Sequence, residues 1–499
     1  MANLLFDALF APLNGRTSAV LILPGDREII GDAFHAQICR IANTLKSNGI
    51  QPGDRVAAQI TKSPEALALY GACVALGAVF LPLNPAYTDA EVAYFLTDAT
   101  PRLLVCDDAR AGALAPEMPM FTLNPDGSGT LIDAAKTQLR TFTPTSRQPD
   151  DIAALLYTSG TTGRSKGAML TQDNLLSNAQ TLARLWRFTS NDTLLHALPI
   201  FHTHGLFVAT NVALLTHGTM IFLPNFHPDT TLHHLPRATA MMGVPTFYTR
   251  LLDDPRFTKQ AAAHMRLFIS GSAPLLHDTH RAFEARTGQK ILERYGMTET
   301  NMNTSNPYMG ERRAGTVGHP LPGVEVKITE NGQTLPQGKT GMIEVRGPNV
   351  FNGYWNMPDK TSDELRPNGF FITGDLGLFD ADGYLHIVGR QKDLIISGGF
   401  NIYPKELELL LDATPGVAES AVIGLPHADF GEAVFAVLTA LPGATLDPDQ
   451  VVKTLHASLA RFKHPKAALV VKELPRNAMG KVQKNLLRAE YGGWFGGGA

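Results

Sequence analysis

Short apolar runs alternate with longer helical stretches through the first half of the chain. Arg55 to Ile60 (RVAAQI) predicts a buried strand, and Pro64 to Leu76 an apolar helix with proline in its first turn. Val79 to Leu83 and Arg102 to Cys106 predict further strands, with a helix over Thr88 to Thr97 between them. Such alternation implies an α/β fold of largely parallel sheets packed with helices. Ile152 to Leu156 and Leu267 to Ser270 read as two more buried strands. From Gly315 to Phe379 the texture changes to short strands with Gly, Pro and Asn turns, which predicts a β-rich subdomain. Asp380 to Gly383 then predicts a tight turn, Tyr384 to Val388 a strand and Gly389 to Asp393 a polar crossing. Pro404 to Leu411 starts a new helix, and a small α+β unit continues to about Lys484. The expected domains are therefore residues 1–391 and a smaller C-terminal unit, 392–499. The closing GGWFGGGA is glycine-rich and expected to fray.

At 499 residues the chain exceeds the size at which single cores stop growing, which agrees with that division. Its 44% hydrophobic and 18% charged residues are ordinary for a globular protein. A formal charge of −3 supplies no basic field, which argues against nucleic acid as a partner. Three cysteines, Cys39, Cys73 and Cys106, sit in apolar contexts and read as reduced core residues of a cytoplasmic protein. The sixteen histidines are scattered, and His233-His234 shows no further ligand at metal spacing, so no zinc site is expected. The start, MANLLFDALFAPLNGR, reads as an amphipathic helix rather than a signal peptide. No apolar run approaches the ~20 residues of a membrane span, so no membrane partner is expected.

The most informative stretch is Tyr157 to Gly167, YTSGTTGRSKG. Gly160, Gly163 and Gly167 permit positive φ and close approach to a ligand. Hydroxyls and free N–H groups of Thr158, Ser159, Thr161 and Thr162 suit polyphosphate oxygens, with Arg164 and Lys166 to offset charge. No Gly-Lys-Ser/Thr closes the run, so it is not a Walker A loop. It is expected to link a strand to a helix.

This loop resembles the phosphate loop of the adenylate-forming superfamily, which includes acyl-CoA synthetases, peptide-synthetase adenylation domains and luciferases. Further motifs follow in the family's order: Pro199 to Gly205 (PIFHTHG), Tyr295 to Thr300 (YGMTET), Thr373-Gly374-Asp375, Gly389 to Asp393 (GRQKD) and Pro475 to Lys481 (PRNAMGK). The resemblance implies a large AMP-binding domain with a small mobile C-terminal domain, and the use of ATP, Mg²⁺ and coenzyme A. It gives Glu299 the metal and puts Thr298 on the α-phosphate. Asp375, in the short turn Thr373-Gly374-Asp375, and Arg390 would clamp the ribose. Gly271, Ser272 and Ala273, with Glu293, Arg294 and Tyr295, look like the adenine slot, although a plain core role for Tyr295 competes. Lys481 would be the catalytic cation, because fixed positive charge stabilises the charge that builds at the α-phosphorus. The same lysine is an acetylation position in the family, which implies a lysine acetyltransferase as a regulatory partner. Lys392 resembles the hinge between two arrangements of the small domain. Ser397, Gly398, Gly399 and Phe400 would line the passage of CoA's pantetheine arm. His202 resembles the residue that gates the thiol, with a buried hydrogen-bonded histidine as the competing reading.

For the acid, MGVPTFYTRLL and the stretch from Arg294 to Ile328 look specifically like malonyl-CoA synthetases. The expected substrate is thus a small dicarboxylate, malonate and also methylmalonate, converted with ATP and CoA into acyl-CoA, AMP and pyrophosphate. Pro245 near a first helical turn would set Phe247, Arg250 and Leu251 on one face, and the resemblance gives Arg250 the distal carboxylate. On helix geometry alone Arg250 would lie on the wet face or pair with Asp253 or Asp254. Ser272 would add a hydrogen bond and Met297 would cap a short pocket. One methyl is worth only ~1–3 kcal/mol in pocket discrimination, so the sequence does not rank malonate over methylmalonate. Rival readings are a ligase for another small acid, a domain loading a carrier protein, a luciferase-type oxygenase and a non-catalytic nucleotide sensor.

Overall fold

The computed structural model describes residues 3–114, 118–158, 165–398, 400–427, 429–457, 459–477 and 480–495. Two helix-covered sheets form the bulk of the first domain. One runs Met120–Thr122, Leu103–Cys106, Arg55–Gln59, Val79–Pro82, Ile152–Thr158, Lys166–Thr171, and is parallel except for its last pair. The other is centred on the parallel strands Thr193–His196, Ala240–Gly243, Leu267–Ser270 and Leu292–Met297. The helix Pro64–Leu76 starts under a Ser63 cap, ends at Gly77 in the left-handed region, and is buried from Ala66 to Leu76. Its Tyr70 ring meets Phe80 of the first sheet and Phe207. A helix apolar all round is a core element, and its low polarity explains why this one was legible in sequence. The N-terminal helix Leu4–Leu9 buries Leu5, Phe6 and Leu9 under an Asn3 cap.

Two expectations change. The segment after the glycine-rich loop is not a helix: Lys166–Thr171 returns antiparallel to Ile152–Thr158, pairing Thr158 with Lys166, and the helix Gln172–Leu185 follows. Gly167 has no positive φ; it lies in the return strand, closely packed under Leu155 and Tyr157. Likewise Thr373-Gly374-Asp375 is not a turn between elements. It lies inside the strand Phe371–Phe379, where register slips against Gly341–Arg346 and Gly374 takes φ +72°.

The β-rich subdomain is an antiparallel sheet of Gln333–Thr334, Glu325–Glu330, Gly341–Arg346, Phe371–Phe379 and Leu385–Arg390. Beyond Gln391–Asp393 comes a second antiparallel core, Val417–His427 against Gly431–Ala440, with Ile395–Ser397, Phe400–Ile402 and Ala467–Val471 around it. Apolar clusters draw on residues up to Ile387 or from Ile395 onward, never both. The three cysteines are buried and free. Asp26 comes close to His233 and His234, a neighbour the sequence did not reveal, and is itself engaged by Arg237. Among the described residues no helix is long and apolar enough to cross a membrane.

Candidate active site

The loop strands deliver Thr158 and Lys166 to one edge of a cleft. Thr158 Oγ1 donates to Glu299 Oε1 at 3.4 Å. Glu299 is buried, and burial pushes its carboxyl above the ordinary range, opposed by the Lys166 charge and the Tyr354 hydroxyl. Thr298 is half-buried beside it. Ser159, Gly160, Thr161, Thr162 and Gly163 lie outside the described residues. Lys166 does not point into open space as a phosphate ligand would. It is buried, with Nζ 3.0 Å from Tyr354 Oη and 3.1 Å from Glu364 Oε2. A buried, strand-borne lysine takes the half-buried Glu364 carboxylate as its partner because an unpaired buried charge costs several kcal/mol.

At the opposite edge the bulge of Thr373–Asp375 turns Asp375 inward. Its backbone N–H donates to Thr373 Oγ1 at 3.0 Å, while Thr373 Oγ1 donates to the Ile343 carbonyl. The Asp375 carboxylate accepts from Tyr295 Oη at 2.6 Å and pairs with Arg390 Nε at 2.6 Å. Tyr295 thus anchors the aspartate by its hydroxyl while its ring is buried at the end of Leu292–Met297. Lys481 comes from the other domain. Its N–H and carbonyl bond Asn477, and Arg476 Nη1 donates to the Gly480 carbonyl at 2.7 Å, so the turn is braced from both sides. A Cβ on Gly480 would lie 3.5 Å from Thr246 Oγ1, which seats this turn over the helix Pro245–Leu252. The Lys481 side chain is open to water yet ringed by protein. Crowding, Arg390 and Lys392 push its ammonium down to about 8, against the pull of Asp375 and Asp393.

Between these edges lies an unusual wall. Arg294 is buried, and its Nε and Nη2 have no hydrogen-bond partner among the described residues. Desolvation alone brings it down to about 9, so it remains a guanidinium at neutral pH. Gly271 makes room for it: a Cβ there would lie 2.3 Å from the guanidinium carbon. His202 and His204 are close enough to feel its charge, and burial beside it pushes His202 down to about 4, hence neutral. His204 Nδ1 lies 3.1 Å from Ser272 Oγ, and its Nε2, like Ser270 Oγ, is buried without a partner among the described residues. In the sequence, only the His-Thr-His spacing within PIFHTHG points to His204. Arg250 is not brought to this wall. It sits exposed in the last turn of Pro245–Leu252 without an ion pair among the described residues. Met297 is half-buried at the end of Leu292–Met297. Glu293 does not reach the cleft either; it is buried 3.7 Å from His280.

The pattern of the AMP-binding enzyme family matches residues 15–355, and that of its C-terminal domain residues 406–481. The chain belongs to the AMP-binding enzyme family. It superposes on ATP-bound MatB from Rhodopseudomonas palustris with TM-score 0.97 at 57% identity, covering 99% of this chain and 100% of that one. Apo MatB, also 57% identical with the same coverage, gives 0.86, so this chain superposes more closely on the ATP-bound form. Among curated relatives, a malonate–CoA ligase of Arabidopsis thaliana is 36% identical over 83% of this chain and 74% of its own length. An indoleacetate–CoA ligase of Aromatoleum aromaticum is also 36% identical, over 92% of this chain and 93% of its own. The relatives thus include malonate–CoA ligases beside ligases of other acids.

In this AMP-binding enzyme the C-terminal hairpin expected to meet pantetheine is well formed. Ser397 is buried, Gly398 takes φ +57° and donates to the Phe430 carbonyl at 2.8 Å, and Gly399 lies outside the described residues. Phe400 stacks on Phe462 with centroids 4.5 Å apart, yet it is 53% exposed, and Ile396 is 54% exposed. Lys392 is exposed in the Gln391–Asp393 crossing.

Proposed function

We propose that this AMP-forming CoA ligase activates malonate, and methylmalonate as a second substrate. A carboxylate oxygen attacks the α-phosphorus of ATP, forming an acyl–O–P bond as the α–β phosphoanhydride breaks and pyrophosphate leaves. The CoA sulfur then attacks the acyl carbon, AMP departs and the thiol proton passes to solvent. Lys481 supplies charge to the non-bridging oxygens, and Asp375 with Arg390 suits the ribose. The hard oxygens of Glu299 and Thr158 fit Mg²⁺, which would supply charge neutralisation to the phosphates. Acetylation of the water-accessible Lys481 would remove its charge and stop adenylation, which mass spectrometry with assay of the acetylated protein checks. The buried free cysteines fit a reducing, cytoplasmic setting.

The observation that carries malonate is the unpaired, buried Arg294. A monocarboxylate offers no second anion to a guanidinium that has lost its water, whereas a distal carboxylate does. His202 and His204 are neutral, which leaves Arg294, among the described residues of this wall, as the cation able to hold it. Removing one partner of a buried pair costs ~3–5 kcal/mol. Arg294→Met should therefore lower kcat/KM for malonate by about a hundredfold or more while changing acetate or butyrate far less. AMP and acyl-CoA formation across malonate, methylmalonate, succinate, acetate, butyrate and a coumarate decides the matter. Preferential use of the C3 dicarboxylates is expected, and turnover confined to monocarboxylates sinks the proposal. Arg250→Ala is the comparison: a larger loss there than at Arg294 returns the distal carboxylate to the exposed helix.

A further inference from the structure

We propose that the Tyr354 hydroxyl, held by Glu364 and Lys166, is a positioning group that fixes the Glu299 carboxylate for the cation accompanying ATP. This rests on the adenylation reading above and assigns work to three residues that it leaves idle.

The Tyr354 hydroxyl oxygen lies 3.1 Å from Glu299 Oε1 and 2.7 Å from Glu364 Oε2, and accepts from Lys166 Nζ at 3.0 Å. A phenol has one proton and cannot donate to two carboxylates at once. Glu364 is already supplied, by Lys166 at 3.1 Å and by Lys360 at 2.8 Å. Glu364 is the nearer acceptor at 2.7 Å, and because the two lysines also supply it, the phenolic proton can turn to Glu299 at 3.1 Å. Tyr354 and Thr158 both address Oε1, and Oε2 has no side-chain partner among the described residues. The carboxylate is consequently held by one oxygen with the other left to ligate.

The tyrosine is itself fixed by backbone bonds on both flanks. Trp355 N–H donates to the Gly167 carbonyl at 2.8 Å, Met169 N–H to the Gly353 carbonyl at 3.0 Å, and Phe351 N–H to the Glu299 carbonyl at 2.8 Å. Residues 351–355 therefore stitch the return strand of the phosphate loop to the Glu299 segment, and the hydroxyl stands where they meet. Carboxylate ligands are oriented by such outer partners, whose loss commonly weakens metal affinity by about 10- to 100-fold.

Tyr354→Phe removes one oxygen and keeps the packed ring, so folding should survive. Two measurements test it: the Mg²⁺ concentration giving half-maximal AMP formation, and the thermal midpoint without ligand, with ATP, and with ATP plus Mg²⁺. Expected is a rise of about tenfold or more in the half-activating Mg²⁺, loss of the Mg²⁺-dependent part of the thermal shift, and an unchanged malonate KM. Glu364→Gln should move the same readouts in the same direction. An unchanged Mg²⁺ requirement in Tyr354→Phe overturns the inference, as does a fall of the ligand-free midpoint that accounts for the whole effect. If the unsubstituted protein is not stabilised by ATP and Mg²⁺, the adenylation reading itself fails, a result distinct from any behaviour of Tyr354.

Discussion

Two cations in this cleft are shaped by opposite degrees of contact with water. Arg294 is sealed in and keeps its charge because a guanidinium holds its proton so tightly. Lys481 is open to water, yet the protein crowded around it, and then Arg390 and Lys392, bring its ammonium to about 8. The working form is the protonated one, present below that value and lost as pH rises through it. The kcat/KM for ATP should therefore fall on an alkaline limb near 8, and the limb for kcat should lie higher because bound phosphates favour the cation. A pH–rate profile under both conditions checks this, and Lys481→Ala should abolish the limb together with about a hundredfold or more of the adenylation rate. At this scale the sequence did not mark the role proposed here for Arg294. Helical spacing grouped Arg250 with Phe247 and Leu251, yet the helix turns Leu251 inward and leaves Arg250 outside. Arg294 sits among consecutive buried residues, Leu292 to Tyr295, where no alternation marks a side chain that faces a ligand.

Elements set these side chains by close backbone approach as much as by side-chain packing. Gly271 follows the strand Leu267–Ser270 and leaves the space that the Arg294 guanidinium occupies. Gly271→Ala would put a methyl 2.3 Å from the guanidinium carbon and Nη1, so the arginine must shift. Overpacking of this kind costs ~1–3 kcal/mol. The expected result is a lower denaturation midpoint and a malonate KM raised severalfold, with the KM for ATP nearly unchanged; a rise confined to ATP would place Arg294 on the nucleotide side. The strands feeding this region were readable because each is a short apolar run between polar turns, as in Leu103–Cys106 and Leu267–Ser270. What the pattern hid were departures from regular elements. Lys166–Thr171 begins with a buried lysine whose partner, Glu364, lies far along the chain, so the return strand looked like loop. The bulge at Gly374 mimicked a turn because Thr-Gly-Asp is turn chemistry wherever it occurs.

The proposed two-step reaction asks the small domain to present two faces to one cleft. Here the turn carrying Lys481 is seated over Thr246, and the hairpin with Ile396, Gly398 and Phe400 is turned to solvent. Exposed apolar side chains beside a glycine at φ +57° are wasted in this arrangement and useful in one that brings them against a ligand. The closer match to the ATP-bound than to the apo relative, at equal identity, agrees with an adenylation pose. Lys392 is exposed at the crossing between the two cores, and the proposed rotation would be absorbed there. Gly398→Ala tests that picture by separating the half-reactions. In the present pose a Cβ there meets only Phe430 Cδ1, at 3.6 Å, so adenylation has no reason to suffer beyond the ~1–2 kcal/mol of local left-handed strain. Malonate-dependent ATP–pyrophosphate exchange should stay within about twofold, while malonyl-CoA formation falls by about tenfold or more as pantetheine loses its close backbone approach. The intermediate should then accumulate, with AMP release after CoA addition becoming the slow step. Equal losses in both half-reactions would mean that the hairpin serves adenylation directly, and that a single pose of the small domain carries the reaction through.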